Sequence, residues 1–118
     1  MPSATLSLGA KQKLFAKSVA RLLDKAHELG FEVTFGDAYR DPRAFGKMGE
    51  VGVYGNRFSC HKVRLAIDLN LFRNGVFLTS TEDHRPLGEW WEAQQPFACW
   101  GGRFEDGNHY SFTHEGIK

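Results

Sequence analysis

The sequence predicts an α+β fold, a small antiparallel sheet with flanking helices. Three observations carry that expectation. One long amphipathic helix fills the first part of the chain, two later stretches alternate in hydropathy as strands do, and an Asn-Gly step links strand-like segments as a hairpin turn would. Helical and extended segments are segregated rather than alternating, which argues for antiparallel pairing and against a βαβ arrangement.

The helix is read first. Phe15, Val19, Leu22, Ala26 and Leu29 recur at steps of four and three, forming one apolar stripe, while Lys11, Lys17, Arg21 and Lys25 fall mostly off it. Ser7 is the expected start and Gly30 the stop. His27 reads as a surface or packing residue. Residues 31–38 (FEVTFGDA) follow as a strand, with Phe31, Val33 and Phe35 on one face. Residues 41–58 then read as a loop opened by Asp41-Pro42 and carrying Gly46, Gly49, Gly52 and Gly55. It lacks the Gly-Lys-Ser/Thr ending of a phosphate-binding loop, and either a lid over a site or an irregular connection would account for it.

Residues 63–72 (VRLAIDLNLF) read as the second strand, in which Val63, Leu65, Ile67, Leu69 and Leu71 alternate with Arg64, Ala66, Asp68, Asn70 and Phe72. Asn74-Gly75 turns the chain into Val76-Phe77-Leu78. Residues 86–95 are expected as a short helix with Pro86 in its first turn and Trp90 and Trp91 along it. The tail has Gly101-Gly102, a polar turn at residues 105–108 and a last strand at residues 109–112.

The 118 residues suit one domain, 1–118, and ten Phe and three Trp provide enough apolar bulk for one core. Fifteen Lys and Arg against fourteen Asp and Glu leave a net charge of +1, which gives no electrostatic case for a nucleic-acid or membrane-surface binder. No apolar run approaches the roughly 20 residues that cross a bilayer, and the N-terminus has no basic-then-apolar secretory pattern. The expectation is a monomer made in a cytoplasm without a signal peptide. In that compartment Cys60 and Cys99 read as free thiols, a Cys60–Cys99 bridge being the alternative.

Chemistry concentrates in four residues. Asp68 interrupts a strongly apolar strand on the face opposite Leu65, Ile67 and Leu69, so if that face is covered the carboxylate needs a cation or hydrogen bonds to offset desolvation. His61 precedes it by seven residues, and Asp106 and His109 lie three apart around a turn near the C-terminus. A catalytic zinc site takes three nitrogen, oxygen or sulfur ligands and leaves one position for water. Two imidazoles and two carboxylates can supply three ligands and a spare base. Spacing alone is weak, since His-x6-Asp arises by chance in many chains.

The neighbouring residues add to it. Ser59-Cys60-His61 followed by Leu65-Ala66-Ile67-Asp68-Leu69 resembles the Ser-x-His-x6-Asp signature of the zinc D-Ala-D-Ala peptidases. Trp100-Gly101-Gly102 followed by Asp106-x-x-His109 resembles the second motif of that family, and Tyr39-Arg40 resembles the Tyr-Arg step that precedes both. The likeness runs from about Phe31 to Phe112 and is nearest to the small L-alanyl-D-glutamate endopeptidases that serve as phage endolysins. The resemblance implies a hedgehog/D-Ala-D-Ala peptidase-like fold, one Zn2+ held by His61, Asp68 and His109, and Asp106 as the general base toward the attacking water. It also implies that Arg40 steadies the substrate carbonyl or its oxyanion and that Ser59 supports the metal site. The implied partner is the peptidoglycan stem peptide, reached in the periplasm after release from the host cytoplasm and cut to cause host cell lysis.

Three departures from the family pattern stand out, one being that the region after Arg40 is short and glycine-rich, so the family's usual neighbours of Arg40 do not carry over. Arg64 sits where the family usually has Gly, and the residues after Arg40 (DPRAFGKMGE) lack its frequent Gln. Other candidates read as bland: His84 and His114 as surface histidines, Cys60 as pointing away from the metal in an extended segment, Glu105 as a weaker candidate for the base, and Trp100 as either groove or core. Three alternatives to the endopeptidase stay open: a D-Ala-D-Ala carboxypeptidase, with Arg64 or Arg43 holding the terminal carboxylate; a non-catalytic zinc-binding module of the same fold, which would need no Asp106; and a metal-free domain.

Overall fold

A computed structural model describes residues 6–39 and 60–117. The expected loop 41–58, Arg40, Arg43 and Ser59 lie outside the described residues. The fold is α+β, with a five-stranded antiparallel sheet and two helices. In chain order the elements are α1 (Leu8–Glu28), β1 (Glu32–Phe35), a 3-10 turn (Cys60–Val63), β2 (Ala66–Arg73), β3 (Val76–Leu78), α2 (Thr81–Glu92), β4 (Ala98–Trp100), a second 3-10 turn (Gly101–Phe104) and β5 (His109–Phe112).

α1 begins as its sequence dictates. The Ser7 hydroxyl accepts the Ala10 amide at 3.1 Å, supplying one of the donors that a helix start leaves unpaired. Gly30, at φ +87°, ends it in the left-handed conformation. The buried stripe is Lys11, Phe15, Ser18, Leu22 and Ala26, so Lys11 is not on the solvated face. Its aliphatic stem is covered while Nζ donates to the Thr113 carbonyl at 3.0 Å and sits 5.1 Å from the Phe97 ring centre.

β2 is the spine of the sheet. β1 pairs with one edge of it; β3 and β5 share the other, β5 at Ala66–Asp68 and β3 at Leu71–Arg73. Side chains alternate as expected: Ile67, Leu69 and Leu71 enter the core with Tyr110 and Phe112 of β5, and Asp68 and His109 fall together on the other face. The core side is closed by Phe15, Leu22 and Ala26 of α1 and by Leu87 and Trp91 of α2, with Trp91 stacked on Phe112 at 5.4 Å. Asn74 (φ 52°) and Gly75 (φ 76°) both take the left-handed conformation that a two-residue hairpin of this twist needs.

Several expected boundaries move. The first strand is only Glu32–Phe35, and Phe35, on this edge strand, is 64% exposed. Residues 60–63 form a 3-10 turn, so β2 begins at Ala66. The second helix spans Thr81–Glu92 rather than residues 86–95. Ser80 and Asp83 form a capping box there, each satisfying the other's backbone amide. That start places Pro86 inside the helix, where it deprives the Glu82 carbonyl of its usual partner; the box, the Arg85–Glu82 pair at 2.7 Å and burial of Leu87 and Trp91 outweigh the loss. β4 was not foreseen. Among the described residues no helix is long and apolar enough to cross a membrane.

Candidate metal centre

His61, Asp68 and His109 converge because of three local choices of backbone. Register is the first: Asp68 and His109 are directly paired residues of β2 and β5, so their side chains stand side by side on the same face. The second is the turn at Cys60–Val63, anchored by Cys60, whose Sγ lies 3.3 and 3.2 Å from the Phe112 and Ile117 carbonyl oxygens, within reach of its one S–H. The chain leaves this turn through Arg64 at φ 58°. This is the position where the resembled family has Gly, and the left-handed backbone supplies the reason a glycine would suit it. The third is the close approach of Gly36, whose amide donates to the Asp68 carbonyl at 2.8 Å while Asp68 donates to the Asp37 carbonyl at 2.7 Å.

The resulting geometry is tight. His61 Nε2 lies 3.1 Å and His109 Nδ1 3.5 Å from the same Asp68 oxygen, Oδ1. The three donor atoms fall within 4.8 Å of one another, and both imidazoles are buried. Burial by itself raises the Asp68 carboxyl, but the two imidazoles beside it, His109 and His61, outweigh that and hold the group well below the usual carboxylate range. The other nitrogen of His61, Nδ1, lies 2.6 Å from the Ala38 carbonyl.

Those two contacts of His61 test whether a metal fits. Both neighbours, a carbonyl and a carboxylate, are acceptors, yet a neutral imidazole has one N–H. With the proton on Nδ1 for Ala38, the Nε2 lone pair faces a carboxylate, and a cation between them removes the conflict. An imidazole N–H held by a backbone carbonyl is also the usual way a protein orients a ligating histidine. His109 Nε2 is buried without a hydrogen-bond partner among the described residues, so its facing edge is Nδ1. Two nitrogens and an oxygen make a donor set able to hold a metal ion.

Asp106 reaches the same place from a turn. Its Oδ2 is 3.9 Å from His109 Nδ1, and its side chain is half exposed. The Trp-Gly-Gly sequence explains how the turn is held. Trp100, fully buried, donates its indole N–H to the Gly107 carbonyl at 2.7 Å. Asp106 donates to the Gly101 carbonyl at 2.8 Å and accepts from the His109 amide at 3.0 Å. A Cβ on Gly101 would collide with the Asp106 carbonyl and come within 2.6 Å of His109 Cβ. One on Gly107 would come within 2.6 Å of Thr81 Cα, so both positions require glycine for close approach rather than for φ.

The remaining candidates sort clearly. Trp100 is core, not groove. Cys60 does not point at the metal group, though the reason is its 3-10 turn and not an extended segment; burial, with Cys99 nearby, pushes its thiol up to about 12. Both cysteines are free. Glu105 lies at φ 63° on the turn and is exposed. Arg64 stacks its guanidinium 4.0 Å from the Tyr39 ring centre. His27 is exposed and His114 half-buried. His84 corrects the surface assignment: it is 3% exposed and bonded to the Tyr110 hydroxyl at 2.7 Å. No motif marked it, and only its recurrence with Leu87 and Trp91 on the buried side of α2 could have done so. The Ala38 carbonyl that orients His61 is equally invisible in sequence, because any residue could provide it.

No protein-family model and no curated protein matches this chain.

Proposed function

We propose that the chain is a zinc metallopeptidase of peptidoglycan stem peptides, of the phage endolysin kind, cutting between L-Ala and D-Glu. His61, Asp68 and His109 would hold the zinc, a choice that suits two imidazoles and one carboxylate with room left for water. When bound, such an ion supplies Lewis-acid activation of a carbonyl and of water. The chain's own groups supply the rest. Asp106, at the edge of the cluster and open to solvent, accepts a proton from the attacking water and returns it to the departing amine, so the amide C–N bond breaks as water adds across it. Asp68 balances charge beside the carbonyl, and the Ala38 carbonyl keeps His61 in the tautomer that frees Nε2. Arg40 and Ser59 keep the roles that the resemblance implies, outside the described residues.

The observation that carries this reading is the pair of acceptors facing one buried imidazole, His61, with a second imidazole and a spare carboxylate alongside. The spare carboxylate favours an enzyme over a metal-holding module. The endopeptidase is preferred over the carboxypeptidase on the resemblance; of the two cations that could hold a terminal carboxylate, Arg64 lies against Tyr39 and Arg43 is outside the described residues. The test is digestion of purified peptidoglycan, with the released ends identified by mass spectrometry. New D-Glu amino groups with L-Ala left on muramic acid are expected, abolished by chelator. Release of free D-Ala with the L-Ala–D-Glu bond intact would move the assignment to a carboxypeptidase, and no cleavage of either bond by the zinc-loaded protein would remove the peptidase reading.

A further inference from the structure

β3 and β5 pair with different stretches of the same edge of β2, and a hollow of about 290 Å³ opens where they separate. Asn70, Thr81, His84 and Asn108 line it, and the exposed residues Glu105 and Asp106 belong to its wall. No lysine or arginine among the described residues lines it. Asp106, whose Oδ2 lies 3.9 Å from His109 Nδ1, is the wall residue that adjoins the metal group.

The tautomer of His84 follows from its partner. Tyr110 is fully buried, and its hydroxyl meets His84 Nδ1 and no other group among the described residues. Turned the other way, the buried O–H would lack an acceptor, a loss of about 1–3 kcal/mol. Tyr110 therefore donates to Nδ1. Burial, partly opposed by Asp83, pushes the His84 pKa down to about 4, so the ring is neutral near pH 7 and its one proton sits on Nε2. That nitrogen has no hydrogen-bond partner among the described residues, yet it is not sealed in as His109 Nε2 and Ser111 Oγ are. His84 lines the hollow.

We infer that this hollow receives the stretch of peptide beyond the scissile bond on the Asp106 side, and that His84 donates its Nε2–H to a carbonyl oxygen of that stretch. The identity of the peptide rests on the peptidase reading; the free donor does not. An uncharged carbonyl fits better than a carboxylate, because Glu105 and Asp106 disfavour a further negative charge and no cation answers it.

The experiment is nitrogen-15 NMR of the His84 ring in zinc-loaded Asp106→Asn protein, titrated with the stem tripeptide L-Ala-γ-D-Glu-diaminopimelic acid, beside cleavage assays of the unmodified enzyme. A saturable shift of the Nε2 resonance is expected, with a smaller response to D-alanine. In otherwise native protein, His84→Phe should raise KM about twofold to tenfold with little change in kcat, the value of one neutral hydrogen bond. His84→Gln, which keeps a donor and guards against a folding defect, should restore KM. Cleavage without any shift at saturating tripeptide overturns the inference and leaves the peptidase reading standing. A shift without cleavage supports the inference and removes that reading, whereas neither shift nor cleavage removes both. A larger response to D-alanine than to the tripeptide overturns the carbonyl assignment.

Discussion

Two buried histidine settings lie close together in this fold and differ in what faces the ring. At the metal group, His61 and His109 both turn a nitrogen toward one Asp68 oxygen. In the core, His84 turns its Nδ1 toward the neutral hydroxyl of Tyr110. Burial is nearly the same, at 1%, 4% and 3% exposure for His61, His109 and His84. Burial therefore does not set the chemistry; the partner does. A phenol satisfies the acceptor nitrogen of a neutral ring, but a carboxylate facing two rings, one of them already committed to a carbonyl, calls for an added positive charge.

The largest expected effect breaks the first setting only. His61→Ala or His109→Ala should abolish metal retention and all measurable turnover, as should chelator, whereas His84→Gln should retain the metal in full. Elemental analysis of protein purified without chelator checks both halves. Next comes Asp106, which adjoins the cluster without belonging to it. Asp106→Asn should keep the metal and lose ~10²–10⁴-fold in turnover, the worth of general-base assistance. Near-normal turnover would shift the role to Glu105 or another group.

The second setting is sharpened by pH. His84 has a folded pKa of about 4 against an ordinary value of 6.5, so between these values the unfolded chain binds the extra proton. Stability should fall as pH drops from about 6.5 to about 4 and show no further loss from this group below that, by on the order of 3 kcal/mol in total. Denaturant unfolding across that window should show a shallower pH dependence for His84→Gln; identical slopes would refute the assignment. The smallest effect separates scaffold from chemistry. Gly107→Ala should cost about 1–3 kcal/mol of stability by crowding Thr81, with metal content unchanged.

How much of this was legible depends on whether the sequence itself carried the constraint. α1 was, because Ser7, the stripe and Gly30 each act locally. So was the hairpin at Asn74-Gly75, and the set His61, Asp68 and His109, which the structure brings together, was legible through a carboxylate that breaks an apolar strand and through the motif resemblance, not through spacing alone. The start of α2 is written in Ser80 and Asp83, but Pro86 carries a competing helix-start signal that points to a later start. Lys11 and His84 were misplaced for a different reason. Each is polar, and its buried place depends on long-range partners, the Thr113 carbonyl and the Phe97 ring for Lys11 and the Tyr110 hydroxyl for His84, which no local pattern announces. Arg64 was noted as a departure, yet only the backbone shows why the position is unusual.

The central claim is that His61, Asp68 and His109 act together as one metal site, and calorimetric titration of zinc into metal-free protein tests it most directly. The account predicts about one zinc per chain, with binding lost in His61→Ala, Asp68→Ala and His109→Ala and kept in Asp106→Asn. Failure to take up zinc, or uptake that survives all three ligand substitutions, would contradict it.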